Sequence, residues 1–209
     1  MDGSSEAAWC RVVDEHGVCD VRRRWAFCRD RGDWEGLRAC FHPDATITVA
    51  WYAGPASGFI ERSIAMAEVR RPEERHKHWL GNMRVDVGGA RAVLETDAMV
   101  LVREYIDGHL FDYCGWLRFY DLVEKRDGAW RLLKASCIYE KDRLDPVVPG
   151  AVPASFYDAL VPGGDDAGFA FMRFRQIKKG RDVPFGIVLA GSKEEEALGS
   201  EARSWLAGA

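Results

Sequence analysis

The sequence predicts an α+β fold: a helical N-terminal third followed by a curved antiparallel sheet. Two observations carry this. Gly88-Gly89, Asp107-Gly108 and Asp127-Gly128 separate four long extended runs, and each dipeptide can supply the positive φ angles of a tight hairpin turn. Apolar residues before His42 recur at helical spacing, whereas those after Thr46 alternate. Helices first and a strand meander afterwards is an α+β order. The 209 residues are 47% apolar and 30% charged, so the chain is globular rather than disordered. Lys and Arg number 29 against 33 Asp and Glu, a formal charge of −4, and no basic excess is available for nucleic acid. No membrane span is expected, because no apolar run is long enough. The N-terminus has no signal-peptide pattern. The six cysteines (Cys10, Cys19, Cys28, Cys40, Cys114, Cys137) contain no C-x-x-C pair, which suits reduced thiols in a cytoplasmic protein.

Element by element, Ser4 or Ser5 caps a first helix with Trp9, Val12, Val13 and His16 on one stripe, and Gly17 interrupts it. A second helix places Val21, Trp25 and Cys28 on one face, with Arg22, Arg23 and Arg29 elsewhere, and ends at Gly32. Asp33 caps a third helix carrying Trp34, Leu37 and Phe41, stopped by the turn His42-Pro43-Asp44. Thr46 to Tyr52 is a β-branched strand, and Gly54 to Gly58 is a loop. Ser57 caps a short helix through about Val69, with Ile60 and Ile64 inward. The meander strands run Arg75–Val87, Ala90–Tyr105, Leu110–Lys125 and Trp130–Lys141. Residues 145–168 form a Pro- and Gly-rich connector. Phe169–Lys178 and a helix over Ser192–Leu206 complete the chain, with Glu194, Glu195 and Glu196 solvated in that helix's first turn. The domain boundary falls at 142: residues 1–142 form the α+β domain and 143–209 an extension.

No P-loop, dinucleotide fingerprint, nucleophile elbow or H-E-x-x-H motif occurs, so chemistry must come from single residues on separate elements. Asp30 ends the second helix, where a carboxylate opposes the macrodipole and needs a partner or open water. His76 and His78 share one strand face with Leu80, Asn82, Arg84 and Asp86; Trp79, Met83, Val85 and Val87 share the other. Either the histidines line a pocket and Trp79 and Met83 need another cover, or the apolar face meets the core and the histidines are solvated. A metal at His76 and His78 would need Asp30, His109 or Asp112 as third ligand, and the spacing supports none, so no metal and no cofactor is expected. His109 is expected in solvent and His42 in a turn. Glu95, Asp97 and Arg103 share a strand face and are expected as paired surface charges. Trp25, Trp51, Tyr52, Trp116, Phe119 and Tyr120 are core residues or the lining of a cavity for a flat apolar ligand.

Arg29-Asp30-Arg31-Gly32-Asp33-Trp34-Glu35-Gly36-Leu37-Arg38, then Phe41-His42-Pro43-Asp44-Ala45, His78-Trp79-Leu80-Gly81-Asn82 and Asp127-Gly128-Ala129-Trp130-Arg131, form an ordered series. In order and spacing it resembles the SnoaL-like branch of the nuclear transport factor two-like superfamily. That branch includes scytalone dehydratase, hexachlorocyclohexane dehydrochlorinase and the bile-acid dehydratase. The resemblance spans roughly residues 5–142. It implies a cone-shaped barrel of curved sheet wrapped around the N-terminal helices, and a dyad in which Asp30 orients His78, the general base. The implied activity is cofactor-independent elimination or isomerisation of a mostly apolar cyclic or polyketide-like molecule.

The site residues implied are His78 and Asp30 as catalytic groups and Trp25, Trp51, Tyr52, Asn82, Trp116 and Phe119 as substrate lining. Trp25 stands where two relatives look to have Tyr, and the leaving-group residues of the family are not carried over. A homo-oligomer, dimer or trimer, is expected as partner. The extension is expected as a lid over the cone or as an arm on a neighbouring subunit. Two further readings stay open: a non-catalytic ligand-binding or dimerisation module, and a site built on a second buried carboxylate from Asp97, Asp112 or Asp121.

Overall fold

The computed structural model describes residues 3–160 and 168–208. Helices α1 (Gly3–Arg31) and α2 (Trp34–Ala39) precede strands β1 (Phe41–Val49) and β2 (Tyr52–Pro55). Helix α3 (Ala56–Glu68) leads to β3 (Arg75–Gly88), β4 (Arg91–Ile106), β5 (His109–Arg126) and β6 (Ala129–Pro146). A 3₁₀ turn (Ala154–Tyr157), α4 (Ala170–Lys178), β7 (Val188–Leu189) and α5 (Lys193–Ala207) follow. The fold is α+β, with a curved sheet of seven strands in the order β2-β1-β6-β5-β4-β3 and β7 beside β6. The sheet is open and mixed rather than wholly antiparallel. Helix α3 carries the chain from β2 to the far edge, and the meander returns β6 alongside β1 in the same direction. β7 also runs parallel to β6.

The three hairpins turn where the glycines predict. Gly89, Asp107, Gly108, Asp127 and Gly128 all have positive φ. The helical third is different from its expected form. α1 runs unbroken through Gly17, where an added Cβ would stand 2.9 Å from Trp130 Cδ1. The glycine costs the helix about 1 kcal/mol relative to alanine but lets it close on the β6 hairpin. Trp9, Val12 and Val13 are exposed, so the first predicted stripe is not core. The buried stripe lies further on, at Val18, Val21, Arg22, Trp25, Ala26, Cys28 and Arg29. Ser4, a predicted cap, lies outside the residues whose side chains are described, as do residues 161–167 of the predicted connector.

Gly32 ends α1 in the left-handed region and Asp33 caps α2, accepting from the Gly36 N–H at 2.9 Å. Pro43 is not a stop. It sits within β1 where the pairing with β6 breaks between Phe41 and Thr46, so its missing N–H interrupts no ladder. His42 is buried beside it and donates Nε2–H to the Glu124 carbonyl at 2.9 Å. Residues 52–55 pair with β1 instead of looping, and α3 follows Pro55 without a side-chain cap from Ser57. Ile60 is buried and Ile64 packs against the core.

Strand β3 holds a bulge between Leu80 and Met83. The extra residue reverses the alternation, so His76, His78 and Leu80 point inward before it and Met83, Val85 and Val87 after it. Trp79 stays exposed. Helix α5, capped by Ser192, covers part of the outer sheet face: Ala202 packs with Val93 and Leu122, Leu198 with Ile138 and Val188. Glu195 is not free in solvent. It takes Arg118 at 2.5 Å, and Arg118 also bonds Glu95 and Glu140. All six cysteines are free thiols. Among the described residues no helix is long and apolar enough to cross a membrane.

Across the inner face, Arg22 of α1 meets Asp121 of β5. Both are fully buried and bonded through two parallel N–H groups, one of them Nε to Oδ2 at 2.9 Å. The guanidinium also lies over Trp25 and Phe119, 4.6 and 4.2 Å from the ring centroids. Replacing Asp121 by Ala leaves a buried, unpaired cation. We expect a loss of roughly 3–5 kcal/mol in urea unfolding. A double exchange of Arg22 and Asp121 for Met and Leu should recover most of it.

Candidate functional site

The last turn of α1 and the first half of β3 bring three predicted polar groups together, Asp30, His76 and His78. Asp30 Oδ1 accepts Nδ1–H of His78 at 2.6 Å, and Asp30 Oδ2 accepts the backbone N–H of His78 at 3.0 Å. The carboxylate is thus tied to both the ring and the main chain of one residue. Lys77 adds a cation 3.6 Å from Oδ2. These contacts account for an aspartate at a helix C-terminus, a placement the macrodipole alone disfavours. Burial would raise the Asp30 carboxyl, but the hydrogen bonds and charge of His78 outweigh it and hold the group below its usual range.

With Nδ1 engaged, Nε2 is the ring's basic nitrogen. The His78 side chain is 11% exposed and packs edge-on against Trp25, 5.1 Å between centroids. Burial pushes its imidazole below the ordinary value, against the opposing pull of Asp30, so the neutral base prevails at neutral pH. His76 stands 5.8 Å from His78, ring to ring, and its Nε2 accepts from Arg29 Nη1 at 3.2 Å. Burial, reinforced by the charge of Arg29, drives His76 down to about 3, so it stays neutral. The solvated reading of these histidines is therefore overturned.

Both histidines line a cavity of about 340 Å³. Trp25, Trp51 and Phe119 line it as expected, together with Phe59, Leu117 and Tyr139. The Trp25 Nε1–H is buried without a protein partner among the described residues. The remaining predicted lining residues lie elsewhere. Tyr52 is buried behind Trp51 and Phe59, donating its hydroxyl to the Pro55 carbonyl at 2.8 Å. Asn82 is on the outer surface, donating to Asp97 at 3.1 Å, because the bulge turns it away from the face of His78. Trp116 faces outward beneath Lys141, 4.3 Å from the ring centroid. It is three residues from Phe119 on one strand, an odd spacing that puts the two on opposite faces.

The extension, expected as a lid or as an arm, supplies a wall through residues that the sequence did not single out. Met172, Arg175 and Gln176 of α4 line the same cavity, with Lys179 and Arg181 just beyond. Arg175 bonds Glu104 of β4 at 2.5 Å and Lys179 bonds it at 2.9 Å. Burial would raise Glu104, but the two cations hold its carboxyl at about 2. α4 therefore stays fastened to β4 across the ordinary pH range. The sequence marked Phe169–Lys178 as an element but gave no sign of which of its residues would face the cavity.

The second-carboxylate reading finds little support. Asp121 is committed to Arg22, Asp112 pairs with Arg103 at 2.6 Å on the surface, and Asp97 is exposed. His109 is half-buried against Phe156 rather than solvated. Asp30, His76 and His78 do come within 4.8 Å as three ligand atoms. Two of those atoms are already used, Asp30 by Nδ1–H of His78 and His76 Nε2 by Arg29, and a guanidinium beside the nitrogen opposes a second cation.

Residues 11–135 match the family model of the SnoaL-like domain. The chain belongs to this family. It is 27% identical over 206 residues, 94% of its length, to a PEP2-like protein of Fusarium vanettenii, of which 87% is covered. Among solved structures, a scytalone dehydratase-like protein of Novosphingobium aromaticivorans superposes with a TM-score of 0.56 at 17% identity, over 69% of this chain and 95% of the other. A type 2 hexachlorocyclohexane dehydrochlorinase, LinA, gives 0.52 at 16% identity, over 69% and 97%. These likenesses establish the nuclear transport factor two-like fold.

The electrostatics of the dyad can be read by nitrogen-15 NMR of the imidazoles. At neutral pH His78 should show Nδ1 protonated and Nε2 bare, titrating below 6.5. Asp30→Asn removes the charge that supports the imidazolium, so the His78 midpoint should fall further. An unchanged or raised midpoint would contradict the assignment.

Proposed function

We propose that this protein is a cofactor-independent lyase that eliminates water or halide from a mostly apolar cyclic molecule, or shifts a double bond within one. The observation that carries the reading is the 2.6 Å hydrogen bond from His78 Nδ1 to a buried Asp30 beside an aromatic-lined cavity. Family membership and fold neighbours that include a dehydratase-like protein and a dehydrochlorinase support it.

In the proposed reaction His78 Nε2 takes a proton from the carbon next to the leaving group. The C–H electron pair becomes the new double bond and the leaving group departs with its bonding pair. Asp30 keeps the imidazole oriented and stabilises the imidazolium, which then returns its proton to the leaving group or to solvent. The unpartnered Trp25 Nε1–H is a donor for the departing atom or for a substrate carbonyl, though it cannot act as an acid. The aromatic walls and α4 limit water at the base, which favours return of the proton to substrate or leaving group.

Proton abstraction can be tested before the substrate is known. Cyclic ketones, alcohols and halides are incubated with the enzyme in deuterium oxide, and exchange or alkene formation is followed by NMR. His78→Ala should lower either rate by about 10²–10⁴-fold with an unchanged fold. The wild-type rate should be flat near neutrality and decline as pH falls through the depressed His78 pKa. Equal exchange by wild type and His78→Ala across the panel would leave a ligand-binding module on the same fold.

A further inference from the structure

The cavity holds a cation that the reaction above does not use. Arg29 is 7% exposed and lines the cavity. Among the described residues its guanidinium has no hydrogen-bonded carboxylate. Its polar contact is a single donation to His76, a neutral ring, and the faces of Trp34 and Phe59 lie 5.8 and 5.9 Å away. Asp30, its neighbour in sequence, is committed to His78.

Arg70, from the turn after α3, lines the same cavity. It is half-buried and has no ion pair among the described residues. Burial weakens the Arg29 cation to about 10, and the charge of Arg70 adds to that effect. Burial likewise lowers Arg70.

The wider lining is cationic. Beyond Arg29 and Arg70 it carries Arg71, Arg75, Arg175, Lys179 and Arg181 against Glu74 and Glu104, while Arg103 is paired with Asp112. Glu104 is bound to Arg175 and Lys179, and Glu74 accepts from the backbone N–H groups of Arg71 and Tyr105, so Glu74 acts on Arg70 through its charge without pairing with it. A buried guanidinium without an acid is unfavourable for the empty protein, and a second one nearby compounds it. An anion entering the cavity reverses both penalties. Guanidinium groups match planar carboxylates through paired N–H donors.

We propose that Arg29 and Arg70 form an anion subsite that takes a carboxylate carried on the apolar ring of the substrate. The ring would occupy the wall of Trp25, Trp51 and Phe119. Because Arg29 directly precedes Asp30, the carboxylate is anchored within one residue of the dyad, and the attached ring carbons are held near His78. This inference rests on the cavity being the substrate site of the proposed lyase, and it narrows the substrate to ring carboxylic acids.

The test uses two probes of one shape, 2-naphthoate and 2-naphthamide, titrated into the full chain by calorimetry. The carboxylate should bind at least 10-fold more tightly than the amide, and the preference should shrink with added salt. Arg29→Met and Arg70→Gln should each abolish most of the preference. His78→Ala should keep it, which separates the subsite from the chemistry. Arg29→Met should also raise the melting temperature of the empty protein, the opposite of what loss of a structural arginine produces. Equal binding of the two probes, or a preference that survives both arginine variants, would overturn the anion subsite and leave the cavity reading intact. If neither probe binds wild type, the cavity reading and the subsite both fall.

Discussion

The bidentate ion pair between Arg22 and Asp121 fixes where the first helix crosses the sheet. It is fully buried, so it contributes less as net stability than as a constraint. A carboxylate on β5 and a guanidinium on α1 must meet, or each is stranded without water. Once they meet, the helix repeat determines the rest. Trp25 is three residues on, one turn along the same stripe, and becomes cavity wall. Arg29 and Asp30 lie about two turns on, at the level of β3. The dyad is thus positioned by a contact on a different strand, some distance from any reacting atom.

The site concentrates charge inside an aromatic shell, and each charge there has a different degree of compensation. Asp30 is saturated by the ring and main chain of His78. Glu104 is saturated by Arg175 and Lys179. His76 avoids the problem by remaining neutral. Arg29 stands out because its partner is uncharged. A protein selected only for stability would tend to remove such a group or give it an acid, so the exception points to an occupant.

Much of the fold was legible in residues whose backbone demands are strong. The turn glycines need positive φ, and Asp107-Gly108 and Asp127-Gly128 have it at both positions. Asp30 and His78 were legible through ordered motifs, and the geometry joins them. The misreadings have a common physical source: a local signal overridden by a distant contact. Gly17 reads as a break until Trp130 is seen to need the space. His42-Pro43 reads as a turn until β6 is seen to leave that stretch unpaired. Asn82 belongs to the face of His78 by strict alternation, and a bulge moves it outside. Trp116 was a different failure, because parity with Phe119 was available in the sequence. Arg29 was hidden in plain view, since a basic residue beside a helix end ordinarily points to water.

The SnoaL-like segment ends at residue 135, and α4 begins at Ala170. The hydrogen-bonded pair therefore sits inside the segment that the family model matches, while one side of its cavity is built from sequence beyond that segment. Exchanging Met172 or Gln176 reshapes the cavity and touches neither partner of the His78–Asp30 contact. The shape of the cavity and the contact between α1 and β3 thus answer to different stretches of the chain.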